Sequence, residues 1–243
     1  MNCTIIPTLK GFFMLFDLHL HSSFSVDALT KPSTIVKVCK KNGWGFSLTD
    51  HNNMDAYKGE KSIKKLAKKE GVFLIPGEEI KVLKEEGGKE TEGEVIAYFL
   101  QEEIRPTTFE CILDEIKAQD ALLSCPHPFD WPRKNFKRFP KLWKNFDCME
   151  IYNARAYYYG LNKASQDFYE RDGVRGKIAC LGVSDAHTPE ELGNGLTEID
   201  AVDEKEFRRK IKKCQTKVVR NKKAQIWHHF QTQLARRNWV QPR

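Results

Sequence analysis

Two histidines one residue apart, His19 and His21 in "FDLHLHSSFSVDALT", follow an apolar run, and Asp27 stands six residues beyond the second. The run Phe12–Leu20 reads as a strand, in which residues i and i+2 share a face. That arrangement would set Asp17, His19 and His21 on one face and Phe16, Leu18 and Leu20 on the other. Two imidazoles aimed at one point from a stiff strand can hold a single metal ion. A pair of satisfied histidines at a strand end is the other reading of this stretch.

The pattern recurs along the chain. Asp50 and His51 close "GFSLTDH", Glu78 and Glu79 close "VFLIPGEE", His127 follows "ALLSCP", and Asp185 and His187 close "CLGVSDAH". Five of the 7 histidines therefore end apolar strands, while His228 and His229 fall in a basic tail. In parallel α/β folds the C-terminal edge of the strands is where sites are assembled. The clustering favours metal ligation for the set. Imidazoles with carboxylates and no thiolate suit zinc, manganese or iron. The donors outnumber the needs of one ion, so two or three divalent ions are expected, bridged by carboxylates as in hydrolytic sites that activate water.

The elements that would position these residues alternate. Helices are expected in "KPSTIVKVCKKNG", with Ser33 as cap and Gly43 as stop, in "AYKGEKSIKKLAKKEG", in "TTFECILDEIKAQD" and over 155–172. Strands are expected at "WGFSLTDH", "VFLIPGEE", "ALLSCPHP", "CMEIYN" and "IACLGVSDAH", and a hairpin at "IKVLKEEGGKETEGEVIAYFL". Such alternation implies βα units, closed as a barrel or wound as an open sheet. Beyond residue 200 the pattern gives a helix at Glu204–Lys213, a strand at Thr216–Arg220 and a basic helix. Trp227, Phe230, Leu234 and Trp239 recur on that last helix as a packing face.

A length of 243 residues with 40% hydrophobic and 30% charged residues suits one large folded core rather than a disordered chain. The 7 cysteines are odd in number and form no Cys-x-x-Cys pair, which argues against a disulfide framework and fits a cytoplasmic protein. No apolar run is long enough to span a bilayer. Met14 is an alternative start, which would make residues 1–13 an upstream extension. The net charge of +7 is concentrated after Asp203 and in Arg133, Lys134, Lys137, Arg138, Lys141 and Lys144. Such runs bind phosphorylated ligands or form a solvated face.

Four motifs in order, "DLHLHS" (17–22), "LTDH" (48–51), "PHP" (126–128) and "SDAH" (184–187), with "IPGEEI" (75–80) between the second and third, resemble the PHP superfamily, named for polymerase and histidinol phosphatase. The resemblance covers about residues 14–200 and implies a distorted (β/α)7 barrel of metal-dependent phosphoesterase type. Residues 201–243 would be a basic C-terminal segment packed on it. By matching motifs, His19, His21, Glu79 and Asp185 would hold a first metal. Glu79 would bridge to a second shared with His127, and Asp27, His51 and His187 would hold a third. Glu79 is preferred to Glu78 because the family pattern is Pro-Gly-x-Glu, and its neighbour would face the other way. Many members carry a histidine just before the strand that here reads "VIAYFL"; this chain has Glu94, a carboxylate that can replace it as ligand. Asp17 and Asp50 are expected to accept the free N–H of ligating imidazoles. "MEIYNAR" (149–155) resembles the segment that faces the same pocket, so Arg155 is a candidate phosphate holder.

The expected activity is hydrolysis of a phosphate ester by a metal-activated water, with Glu79, His187 and Arg155 at the reaction centre. A small phosphomonoester such as a nucleotide or sugar phosphate is the leading substrate. Arg133, Lys134 and Lys137 directly after the third motif favour an alternative, a nuclease acting on nucleic acid ends or short oligonucleotides. A non-catalytic nucleic-acid-binding or scaffolding protein with a vestigial site is a third reading, opposed by the complete ligand set.

Overall fold

The computed structural model describes residues 14–171, 173–221 and 226–237. The expected extension 1–13 and Trp239 lie outside them. In chain order the elements are β1 (Met14–Asp17), α1 (Pro32–Asn42), β2 (Gly45–Leu48), α2 (Ile63–Glu70), β3 (Leu74–Leu83), β4 (Thr91–Tyr98), α3 (Phe109–Ala118) and β5 (Leu122–Cys125). They continue with α4 (Phe139–Leu142), β6 (Cys148–Asn153), α5 (Tyr159–Tyr169), β7 (Ala179–Val183), β8 (Gly195–Ile199), α6 (Glu204–Lys212), β9 (Lys217–Arg220) and α7 (Ile226–Arg236). Among the described residues no helix is long and apolar enough to cross a membrane.

The strands form one sheet in the order β7-β6-β5-β4-β3-β2-β1-β8-β9. β1, β2 and β3 pair in parallel, as do β5, β6 and β7. β4 is antiparallel to both β3 and β5, and β8 to both β1 and β9. Two reversals across β4 leave β5–β7 pointing the same way as β1–β3. Six strand C-termini therefore share one rim, and the N-terminal half of β4 reaches it from the other direction. This is a nearly closed, mixed, barrel-like sheet that departs from a plain βα repeat at the expected hairpin. The departure has a local cause: the polar stretch around Gly87, at φ +70°, turns β3 straight back into β4 with no helix between them. At the rim the ring closes where the ends of β1 and β7 meet. Asp185 N–H donates to His19 O and His21 N–H to Ala186 O, both at 2.8 Å.

Strand alternation sorts the apolar side chains into two layers. Phe16, Leu18, Ile75, Ile96, Leu122 and Leu181 make one, completed by Phe207 and Ile211 of α6. Phe46, Leu48, Ile80, Leu123 and Met149 make the other, against Ile35 of α1, Ala67 of α2 and Ile112 of α3. Each fully buried side chain of this size stabilises by about 1.5–3 kcal/mol, so the barrel rests on these layers and not on its polar rim.

Several expectations change. β1 ends at Asp17, and Leu20 joins a different layer from Phe16 and Leu18, so the backbone switches faces between Leu18 and Leu20. Asp17 therefore does not share a face with His19 and His21. Ser33 lies inside the first turn of α1, whose cap is Lys31 with Pro32 in the first position. α2 is shorter than its pattern, because a separate 3₁₀ turn takes Asp55–Tyr57 and Ser62 caps the helix by accepting from Lys65 N. The short strand β8 carried too few alternating positions to be read. Beyond residue 200 the expected helix and strand are present as α6 and β9, with β9 extending the sheet and α6 packed into one core layer. α7 buries Thr232 and Ala235, while Trp227 and Phe230 are exposed against each other. The packing face is one helical step away from the one expected.

Gly195 opens β8 where it crosses β7, and a Cβ there would lie 2.2 Å from the Val183 carbonyl oxygen. Both partners are backbone, so relief requires the strands to part. Gly195→Ala is expected to cost roughly 2 kcal/mol or more in urea denaturation; an unchanged midpoint would show that β7 and β8 are not held this closely.

Candidate metal centre

β3 and the segments that follow β1 and β7 bring four side chains together. His19 Nε2 and His21 Nε2 are 3.1 Å apart. Glu79 Oε1 is 3.6 Å from the first and Oε2 is 3.4 Å from the second, and Asp185 Oδ1 is 3.6 Å from both. All four residues are buried. His19 Nδ1–H donates to Glu150 Oε1 at 2.7 Å, and His21 Nδ1–H to Ser25 Oγ at 3.3 Å. Each imidazole is thereby turned so that its Nε2 lone pair faces the centre. A proton on one Nε2 can serve only one of the acceptors gathered there. A cation can serve all four, and a tetrahedral ion with bonds of about 2.0–2.1 Å has donor edges of roughly 3.3–3.4 Å. The donor set fits a divalent metal.

Two further clusters adjoin it. Glu79, Glu94 and His127 converge, with His127 Nε2 3.3 Å from Glu79 Oε1. His21, His51 and His187 converge beside Asp27, whose buried Oδ1 has no hydrogen-bond partner and lies 3.5 Å from His51 Nε2 and 3.7 Å from His187 Nε2. Glu79 also reaches His51 Nδ1 with Oε2 at 2.9 Å. Among the described residues it alone touches His19, His21, His51 and His127. Burial opposes its ionisation, but His19 and His51 outweigh burial and hold its carboxyl well below the ordinary range. Glu78 faces away, accepting from Ile104 N at 2.9 Å, and burial pushes it up to about 8. Burial and Arg155 push His187 down to about 4, so its ring is neutral at neutral pH, and its Nδ1–H donates to Asp185 O at 2.9 Å.

The supporting shell differs from expectation. Asp17 touches no ligating imidazole: its oxygens accept from Ser184 N at 3.1 Å and Gly193 N at 3.0 Å, because of the face switch after Leu18. Asp50 acts at one remove. It accepts from Ser25 Oγ at 2.7 Å and from Ser22 N at 2.7 Å, and Ser25 in turn meets His21. The direct partner of His19 is Glu150, which the sequence reading passed over. Its other oxygen accepts from His127 N and Asn153 Nδ2, both at 2.8 Å. Its signal was its place in "CMEIYN", where Glu interrupts an apolar strand one residue before Ile151. His127 at φ +31° and Asp185 at φ +54° adopt conformations that non-glycine residues rarely take, a cost that clusters at functional sites.

Above the clusters lies a pocket of about 210 Å³, whose lining sets Arg133, Lys134, Arg155 and Arg236 against the carboxylates of Asp27, Glu79, Glu94 and Asp185. Arg155 grips both oxygens of Glu191 with Nη1 at 2.8 Å, and Glu191 also accepts from His187 N at 3.0 Å. Arg133 lines the pocket but is held by Asp130 at 2.8 Å and by Asp185. Lys134 faces Glu94 at 3.2 Å. Lys137 is exposed and lies outside the pocket lining, so the three do not form one patch. α7 roofs the pocket with His229, Thr232, Gln233 and Arg236. Arg155 Nη2 is 3.3 Å from both His229 Nδ1 and Thr232 Oγ1, and Arg236 Nε donates to Asp27 Oδ2 at 3.0 Å. Burial, with Arg155 nearby, pushes His229 down to about 3, so its Nδ1 accepts from Arg155 at neutral pH. The sequence offered these four only as part of a basic tail.

Comparison with known proteins gives a match to the PHP domain family over residues 17–224. An uncharacterized protein of Methanocaldococcus jannaschii is 28% identical over 239 residues, covering 89% of this chain and 90% of that one. A two-domain protein from Bacteroides vulgatus, described as containing a predicted PHP-like metal-dependent phosphoesterase, superposes with a TM-score of 0.62 at 20% identity, over 90% of this chain and 68% of that one. A lesion-specific endonuclease from Pyrococcus furiosus superposes with a TM-score of 0.54 at 18% identity, over 85% of this chain and 58% of that one. At these identities the two structural likenesses are of fold.

Glu150→Gln tests the supporting shell. An amide cannot accept from His19, His127 N and Asn153 at once, and with its NH₂ turned to His19 it would force the tautomer that cannot ligate through Nε2. Metal affinity, measured by competition with a chelator, is expected to fall about 10–100-fold with the circular dichroism spectrum retained. Unchanged affinity would remove Glu150 from the site.

Proposed function

The chain belongs to the PHP domain family, and on that premise we propose that it is a metal-dependent phosphoesterase acting on a small phosphomonoester. The observation that carries this reading is the meeting of His19, His21, Glu79 and Asp185 around a point that only a cation satisfies. In the proposed assignment these four hold one ion; Glu79, His127 and Glu94 a second; and Asp27, His51 and His187 a third. Zinc, manganese and iron all suit imidazole with carboxylate, and the oxygen of Glu94 inclines that position toward the harder two.

Divalent ions held there would lower the pKa of water to give a nucleophile near neutral pH and offset charge on the phosphoryl oxygens. The chain's own residues do the rest. Arg155, pinned by Glu191 through Nη1 and by His229 and Thr232 through Nη2, lends its positive charge to the pocket wall as the candidate partner of an anion. Lys134 adds a positive charge beside Glu94. Glu150 and Ser25 hold His19 and His21 in the ligating tautomer. Arg236 occupies Asp27 Oδ2, which leaves Oδ1 toward His51 and His187. The α7 roof and the pocket volume favour a terminal phosphate over an internal phosphodiester of a duplex. The nuclease alternative draws support from the fold likeness to the Pyrococcus furiosus endonuclease, and the same assay separates the two if run on a 5′-phosphorylated oligonucleotide and on a closed circular strand.

Two outcomes are expected. Chelation should abolish hydrolysis of phosphomonoesters, and manganese, zinc or iron should restore it with more than one ion per chain; less than one by elemental analysis contradicts the assignment. Glu79→Gln should lower kcat by on the order of 100-fold or more through lost metal, as removal of a bridging ligand does. Glu78→Gln should change it only a few-fold, because that side chain faces Ile104. Equal losses in the two variants would place the wrong glutamate in the site.

A further inference from the structure

A row of exposed rings runs outward from the wall of this pocket. Tyr157 lines the pocket and stacks on His229 of α7, with centroids 4.2 Å apart and planes at 27°. Tyr158 follows at 6.4 Å from Tyr157, and Trp131 lies 6.4 Å from Tyr158 with planes only 16° apart. Solvent reaches 48% of Tyr157, 58% of Tyr158 and 71% of Trp131. Single exposed apolar residues need no explanation, but a contiguous group at the mouth of a site does.

The backbone that carries these rings is fixed from within the site. Trp131 stands in a hydrogen-bonded turn that begins at His127: Asp130 N donates to His127 O at 3.0 Å and Arg133 N to Asp130 O at 2.9 Å. Tyr157 and Tyr158 directly follow Arg155 and Ala156, and Ala156 N donates to Asn153 O at 3.2 Å. Both ring-bearing segments thus begin at residues of the metal pocket, and the backbone from which the rings project is tied to it.

The inner end of this surface carries Arg155, Lys134 and Arg236, each paired with a carboxylate, above the candidate metal clusters. Its outer end is made of uncharged aromatic faces, those of Trp131 and Tyr158 nearly parallel. A ligand that matches both ends carries a phosphate joined to a planar ring by a short polar spacer. We propose that Trp131, Tyr158 and Tyr157 form a stacking platform for the base of a nucleotide whose terminal phosphate enters the metal pocket. This rests on the phosphoesterase reading and chooses within it: a sugar phosphate has no planar group to lie on the row. Aromatic faces accept any base, since every base offers a π-face, so the platform confers preference for nucleotides over base-free esters and little preference among bases.

The test compares deoxyadenosine 5′-monophosphate with 2-deoxyribose 5-phosphate on the full, manganese-loaded chain. The intact protein is expected to favour the nucleotide in kcat/KM. In Trp131→Ala/Tyr158→Ala that preference should fall about tenfold through KM, as loss of one base stack predicts. Trp131→Phe/Tyr158→Phe, which keeps flat faces, should retain it. Equal kcat/KM for the two esters in the intact chain, or an undiminished preference in the double alanine variant, overturns the platform. A second readout needs no turnover: equilibrium dialysis of the nucleotide against chelator-treated protein, where the alanine pair should bind about tenfold more weakly than the intact chain. If the loaded protein hydrolyses neither ester, the phosphoesterase reading fails, and the dialysis alone decides the platform: weaker binding by the alanine pair supports it, equal binding overturns it.

Discussion

The rest of the rim is arranged around one crowded contact, the 3.1 Å between His19 Nε2 and His21 Nε2 with the carboxylates of Glu79 and Asp185 on either side. Left to themselves, buried lone pairs and anions at such distances repel, and burial removes the water that would screen them. Two things make the arrangement tolerable. Each imidazole is locked from behind, His19 by Glu150 and His21 by Ser25, so neither can rotate out. And the ring of strands closes at this very level, through His19 O with Asp185 N and His21 N with Ala186 O. The backbone bonds that close the barrel are made by the same residues that supply the donors. Closure of the fold and convergence of the site are therefore one event.

That coincidence explains what could be read from the amino-acid order and what could not. His19, His21, His51, His127, Asp185 and His187 each stand just past an apolar strand, and a strand end is a local property visible in a few residues. Alternation along the strand set Glu78 and Glu79 on opposite faces, and the resemblance to the Pro-Gly-x-Glu pattern chose Glu79 between them. Asp17 was misplaced because the change of face between Leu18 and Leu20 comes from the pairing of Leu20 with Ala186, a contact across the whole length of the chain. Glu150 was missed because a buried glutamate in a strand announces nothing until its partner, 131 positions away, is known. β4 was legible as the return arm of the expected hairpin, whereas β8, antiparallel to β1 from the far end of the chain, was not, because the direction of that pairing is a non-local property.

The largest gap was α7. Its sequence reads as a basic amphipathic helix, and charge runs of that kind usually face water. What distinguishes it is a spacing matched to something outside itself: His229, Thr232 and Arg236 fall on one helical face, three and four residues apart, and meet Arg155 and Asp27. Neither Arg155 nor Asp27 is near it in the chain. The exposed pair Trp227 and Phe230 occupies the side that an isolated reading would have buried.

Glu191 then ties roof to floor. It accepts from the backbone of His187, a candidate ligand, and holds the guanidinium of Arg155, which touches α7. Asp27 does the same from the other side, with one oxygen toward His51 and His187 and the other on Arg236. Each carboxylate joins a residue of the metal cluster to a cation that contacts the roof. An anion arriving in the pocket would draw on those same cations, Arg155 and Arg236, at the points where α7 is fastened. On the proposed reading, the groups that would recognise a phosphate are therefore the groups that hold the helix above it.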